Sequence, residues 1–199
     1  MKNYKLVTQG NQKTLFAGFF IDFKTCLEEA VTRRIPLHNI NLKNKNLSNA
    51  NLDDAILSEA DLSGANLTGT NLSESYCKGA NFTGASLFNT CLAYSNLANC
   101  NFQDASFGAT DISSAIIDGA QFSSLSAFTM DFTKVKQMRD CIFIALDGSI
   151  AALSQPPIVI TGMHSSPIIM LDNTLYYGHR LIKTKYNRTE SLKGYVNVG

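Results

Sequence analysis

The sequence is short of the groups on which site chemistry usually rests. Its three histidines, His38, His164 and His179, lie far apart, and none stands at ligand spacing from a cysteine, an aspartate or another histidine. No GxxxxGK(S/T), GxGxxG or GxSxG segment occurs, and no pair of carboxylates marks an identifiable cleft, so no enzyme class is supported. The five cysteines (Cys26, Cys77, Cys91, Cys100, Cys141) are odd in number and contain no CxxC pair. They read as small apolar fillers in a reducing compartment, not as a disulfide framework or a metal site. A net charge of +1 offers no global attraction to nucleic acid or membrane. No apolar run reaches eighteen residues and no basic-then-apolar leader follows Met1, so neither a membrane span nor a signal peptide is expected, and the chain reads as cytoplasmic.

What the chain does have is a period of five. Every fifth residue from Leu37 to Phe132 is large and apolar, with Cys77 and Ala127 as the smaller members. The residue two places earlier is small, as in Ala50, Ala55, Ala60, Ala65, Thr70, Ser75 and Ala80. About twenty units without interruption make an internal repeat, which settles architecture before any local reading. Five fits neither the helical 3.6 nor the strand 2.0; it suits a short extended step followed by a corner. The large and small positions point inward, and the other three are mostly polar or Gly, as in Ala60-Asp61-Leu62-Ser63-Gly64. Glycine at the last position, and asparagine at Asn44, Asn49, Asn89 and Asn99, supply or tolerate the positive φ of a tight corner.

These units resemble the pentapeptide-repeat family, whose unit is written A(D/N)LxX, over about half of the chain. The resemblance implies an all-β fold: a right-handed quadrilateral β-helix with four pentads per turn. About twenty pentads then make about five coils, and ladder spacing makes the rod about 24 Å long. A filled rod leaves no place to exclude water around a substrate, so catalysis, a metal and a cofactor are not expected.

Three segments follow: a cap (1–34), the repeat (35–134) and a C-terminal β module (135–199). An open β-helix has edges that need covering. Residues 1–34 read as a strand from Tyr4 to Thr8, a second from Leu15 to Ile21, and a helix from about Thr25 to Arg34 with a Thr25–Glu28 capping box. Residues 135–199 are expected to leave the repeat. They form a hairpin from Cys141–Ala145 and Ser149–Leu153, a strand from Pro157 to Thr161, and a hairpin from Pro167–Leu171 and Thr174–Tyr177. After Lys183 the chain is polar and basic. Both flanks resemble those of phage and mobile-element pentapeptide proteins. In that pattern a glycine is followed by cysteine, whereas here Gly178 precedes His179, which removes any inference to a thiol or metal site.

Folding the count of five onto four sides sorts the exposed residues. One side carries Asp53, Asp54, Glu74, Asp111 and Asp131. Another carries no charge and shows Phe88 and Phe128. A third has Ile56, Tyr76 and Ile116 directly before its inward residues, expected to stack as a ladder. Two readings follow. The apolar residues form a docking face for a protein partner, making the chain a non-catalytic interaction module, such as a phage or mobile-element inhibitor of a host protein. Alternatively the acidic side mimics duplex DNA, as the resemblance to topoisomerase-binding family members implies. DNA carries roughly fourteen charges over 24 Å, against nine acids and three lysines in residues 35–133, which favours docking. Direct nucleic-acid binding is not expected, and the apolar stripe could equally join copies into a homodimer or higher homo-oligomer.

Overall fold

The structure, a computed structural model, describes residues 1–162 and 165–183; His164 and the polar stretch after Lys183 lie outside the described residues. The chain opens with an antiparallel pair, β1 (Lys2–Val7) and β2 (Thr14–Phe20), followed by helix α1 (Phe23–Thr32). The helix starts earlier than its sequence predicts. Asp22, extended at φ −146°, is the N-cap, and its carboxylate accepts from the Thr25 amide at 2.7 Å and the Thr25 hydroxyl at 2.8 Å. Thr25 is therefore the capped residue and not the cap.

From residue 37 the backbone pairs with itself in parallel every twenty residues. Four ladders result: Asn41–Asp61–Asn81–Asn101–Gln121, Asn46–Asn66–Ser86–Ser106, Asn51–Asn71–Cys91–Asp111 and Ile56–Tyr76–Asn96–Ile116. Only β3 (Ser86–Phe88), β4 (Asn101–Phe102), β5 (Ser106–Gly108) and β6 (Gln121–Phe122) extend beyond single bridges. Within one unit the backbone accounting is complete. The Leu62 amide reaches Asn81 O at 2.8 Å, the Gly64 amide reaches Thr83 O at 2.8 Å, and the Ala65 amide closes the corner on Leu62 O at 3.0 Å.

The corners hold the left-handed conformation without exception. Every fifth residue from Arg34 to Gly119 has φ between +51° and +72°, including Glu59, Tyr94 and Ala109. Glycine and asparagine are thus preferences of the corner, not requirements, because the ladders on either side fix it.

One core cluster runs from Leu6 in β1 to Tyr176 near the other end. Its axis includes a column of rings: Phe82 stacks on Phe102 at 4.9 Å, and Phe102 on Phe122 at 5.3 Å. The small positions satisfy their own polar atoms. Thr70, Thr90 and Thr110, all buried, donate to the carbonyls of Leu47, Leu67 and Leu87 at 2.7, 2.8 and 2.6 Å. The cysteines are free thiols; burial pushes Cys77 and Cys141 up to about 11.

Both ends of the stack are covered. The Asn41 amide donates to Val7 O at 2.9 Å and the Gln9 amide to Asn39 O at 2.8 Å, while Glu28 of α1 accepts from the Asn51 amide at 2.9 Å. At the far end the expected departure at residue 135 does not occur. Ile116 bridges Gln137, and β6 pairs in parallel with β7 (Cys141–Ile144), at an offset of twenty-one. Met138, Cys141 and Phe143 are buried where Ile117, Ala120 and Phe122 stand one turn below. A single extra residue, entering near the 3₁₀ turn at Phe132–Lys134, displaces the period while the ladder continues.

Strand β8 (Ile150–Leu153) returns antiparallel on β7 as expected. A second sheet, ordered β12-β11-β10-β9, contains β9 (Ile158–Ile160), β10 (Ile168–Leu171), β11 (Thr174–Tyr177) and β12 (Arg180–Lys183). The last strand was not anticipated; the turn at Gly178-His179 creates it. Ile169, Leu171 and Tyr176 join this sheet to the main core, while Ile168, Met170 and Leu175 form a small second cluster.

Candidate interaction surface

The apolar candidates do not share one face. Ile56 and Tyr76 are neighbours in one ladder, but Asn96 stands between Tyr76 and Ile116 and breaks the expected stripe. In that ladder Ile56 and Ile116 are half-buried, and Tyr76 is 41% exposed. Phe88 lies in a different ladder, 43% exposed, with its ring over the backbone of Gly108, where an added Cβ would meet it at 2.6 Å. Phe128 is turned inward. It sits in the 3₁₀ turn Leu125–Thr129 and packs on Phe132 at 6.4 Å and Phe143 at 5.0 Å, closing the core instead of presenting a surface.

The acidic candidates are all exposed, but bases stand at both ends of the run. Arg34 lies 3.6 Å from Asp54, and Lys134 lies 3.4 Å from Asp131. Asp53 accepts from the Ser73 hydroxyl at 2.6 Å. Hydrogen bonds from Ser113 hold the Asp111 carboxyl below its ordinary range, and those from Thr133 do the same for Asp131, with Lys134 adding to both. Asp111, Asp131 and Lys134 edge an open cleft of about 310 Å³ with Thr110 and Ser113.

One residue passed unnoticed in the sequence. Tyr94 is 68% exposed and holds a corner at φ +60°, a conformation unusual for a bulky side chain. Its corner belongs to the column Arg34, Asp54, Glu74, Tyr94, Ser114, and it comes two residues before Asn96, the bridge partner of Tyr76. The only advance signal was an aromatic residue at the fifth position of a unit. Tyr94 and Tyr76 thus flank one edge of the stack, with Glu74 and Asp54 along the same corner. This arrangement offers ring faces, phenolic hydroxyls and two carboxylates.

Nothing around it supplies a nucleophile with a base. His38 Nδ1 contacts the Ser58 hydroxyl, both on the surface of the first turns. Among the described residues no group of His, Cys, Asp and Glu could hold a metal ion, and no helix is long and apolar enough to cross a membrane. Inside the stack, the void lined by Leu92, Leu97, Phe102, Phe107 and Ile112 is about 10 Å³, at the lower limit for one water, and its apolar lining offers a water no partner.

Against known proteins, the family model described as pentapeptide repeats matches in 8 copies over residues 37–69, 65–104 and 90–124. Among curated proteins there is no match. Among solved structures, a pentapeptide repeat protein from Nostoc PCC 7120 is 32% identical, over 42% of this chain and 76% of that one, with a TM-score of 0.38. Rfr23 from the cyanobacterium Cyanothece 51142 is 26% identical, over 49% and 60%, with a TM-score of 0.37. The plasmid-mediated fluoroquinolone resistance protein QnrB1 is 22% identical, over 49% and 60%, with a TM-score of 0.26. The chain thus spans about 60% of the length of the latter two.

Proposed function

We propose that this chain, which belongs to the pentapeptide-repeat family, is a non-catalytic docking module that binds a protein partner along the edge carrying Tyr76 and Tyr94. In this reading the four ladders are the sides of a right-handed quadrilateral β-helix, and the rod serves as a rigid platform. The observation that carries the reading is Tyr94, kept 68% exposed at a corner that a bulky side chain disfavours. Left-handed backbone costs an L-residue roughly 1–2 kcal/mol, and a ring left mostly exposed returns little to folding. Tyrosine contributes large contact area at low entropic cost and is enriched among residues that dominate binding. The carboxylate of Glu74 on the same corner, with Asp54 already paired to Arg34, favours a partner whose apolar pocket has a basic group at its rim. The flanks' resemblance to phage and mobile-element proteins makes a host protein the natural partner, in the cytoplasm, with this chain acting as inhibitor or modulator.

The exposed run of Asp53, Asp54, Glu74, Asp111 and Asp131 favours a second reading, DNA mimicry. Arg34 and Lys134 weaken it, since each pairs with one of the acids that a mimic needs. Capture from lysate with three baits separates the readings. The docking reading expects one partner lost with Tyr76→Ser/Tyr94→Ser, kept with Asp53→Asn/Asp111→Asn/Asp131→Asn, and little affected by salt. A partner lost only with the neutralised bait, and steeply salt-sensitive, supports mimicry instead. Sedimentation covers the remaining case: a wild-type dimer that becomes a monomer with Tyr76→Ser identifies self-association.

A further inference from the structure

The joint between cap and repeat contains a cleft of about 400 Å³, lined by Lys5, Val7, Gln12, Phe23, Asn41, Lys43, Asn44 and Lys45. Three elements build it: β1 supplies Lys5 and Val7, the start of α1 supplies Phe23, and the first turn of the repeat supplies Asn41 to Lys45. The Asn41 amide donates to Val7 O at 2.9 Å and ties two of these together, and Tyr4 packs edge-on against Phe23 at 6.5 Å. Lys45 Nζ sits 4.7 Å from the centre of the Phe23 ring, which holds that ammonium at the cleft wall.

The charge is placed one-sidedly. Residues 35–133 contain three lysines, Lys43, Lys45 and Lys78, and two of them line this cleft together with Lys5. No acidic side chain lines it, and among the described residues none of the three ammonium groups is in an ion pair. Of the neighbouring acids, Asp22 is occupied by the Thr25 amide and hydroxyl, and Asp61, the ladder partner of Asn41, accepts from the Ser63 amide at 3.0 Å. Three exposed ammoniums around one concavity repel one another only weakly in water, but together they give the cleft a positive potential that favours an anion. The amides of Gln12, Asn41 and Asn44 add neutral donors of the kind that phosphate oxygens accept.

We propose that this cleft is a binding site for a short phosphate chain, recognised through Lys5, Lys43 and Lys45. It stands apart from the tyrosine edge and does not depend on the docking reading. The phosphate chain is the element read, whether free or carried on a nucleoside: the one aromatic face in the cleft, Phe23, is already covered by Lys45.

Calorimetric titration of the full chain with inorganic tripolyphosphate at low salt tests this. One ligand per chain is expected, with binding weakened at least about tenfold by Lys43→Gln/Lys45→Gln, as losing charge-assisted hydrogen bonds implies. Lys78→Gln, outside the cleft, should leave the affinity unchanged. ATP should bind within a few-fold of tripolyphosphate, and adenosine not at all. The substituted lysines are exposed, and should the double variant melt early, Lys5→Gln carries the same expectation. Absence of binding, more than one ligand per chain, equal weakening by Lys78→Gln, or binding of adenosine by itself would overturn the assignment.

Discussion

Gly64→Ala probes the corner on which the whole repeat depends. Gly64 has φ +64°, and a Cβ built there falls 2.2 Å from Asn44 Oδ1, the side chain of the corner one turn below. Gly84, at φ +66°, has nothing within 4 Å of the same point. Gly84→Ala therefore measures the backbone cost alone. Left-handed strain of roughly 1–2 kcal/mol, less about 0.4–1 kcal/mol regained by restricting the unfolded chain, leaves about 1 kcal/mol of destabilisation. Gly64→Ala adds displacement of the exposed Asn44 amide, which an off-rotamer side chain puts at about 0.5–1.5 kcal/mol, for a total of about 1.5–2.5 kcal/mol. Urea unfolding followed by far-ultraviolet circular dichroism, with unchanged m-values, reads both. In the Asn44→Ala background the excess should vanish and Gly64→Ala should cost what Gly84→Ala costs, a coupling of at least about 0.5 kcal/mol. Equal costs in the native background, or no coupling to Asn44, would refute the stacking of successive corners.

Phe102, 2% exposed between the rings of Phe82 and Phe122, should cost about 3–5 kcal/mol as Phe102→Ala in the same assay but under about 1.5 kcal/mol as Phe102→Leu, the commoner residue of the repeat. Alanine costing less than about 1 kcal/mol would show that the ring column is not packed as described. His179 stacks at 5.9 Å on Phe143 with its Nδ1 buried and unpartnered, and desolvation lowers its pKa from 6.5, with Asp147 opposing. The unfolded chain then binds its proton more readily, so stability should fall as pH drops below about 6.5 toward the folded-state value. Chemical denaturation at pH 7.5 and 5.0 should show that loss in the wild type and a smaller one in His179→Phe; an identical loss in both would exclude His179 as its source.

The repeat was legible because each inward position is decided locally: Leu62 and Ala60 recur with a period too short to be obscured by distant contacts. Where a local signal had a close rival, the reading slipped. Asp22 and Thr25 are both capping residues three apart, and the geometry chose the earlier one. The turn from Gln137 to Phe143 was hidden by a single insertion, since an offset of twenty-one breaks a search for twenty while leaving the hydrogen bonds intact. Phe128 shows the limit at the surface. In an unbroken unit its position faces outward, but the 3₁₀ turn around it directs the ring into the core. Tyr94 was obscured for the opposite reason, because a corner fixed by its ladders accepts residues that no turn preference would select.

The central claim is that twenty residues make one turn of a stacked chain, and distances between paired spin labels test it most directly. Positions 43, 63, 83, 103 and 123 each follow an inward residue of one ladder. With Cys91 replaced by serine, labels at Lys43→Cys and Ser123→Cys, four turns apart, should lie about 19 Å apart at the backbone, and each twenty residues should add about 4.8 Å. Distances that fail to grow in equal steps, or that jump by tens of ångströms between neighbouring positions, would contradict it.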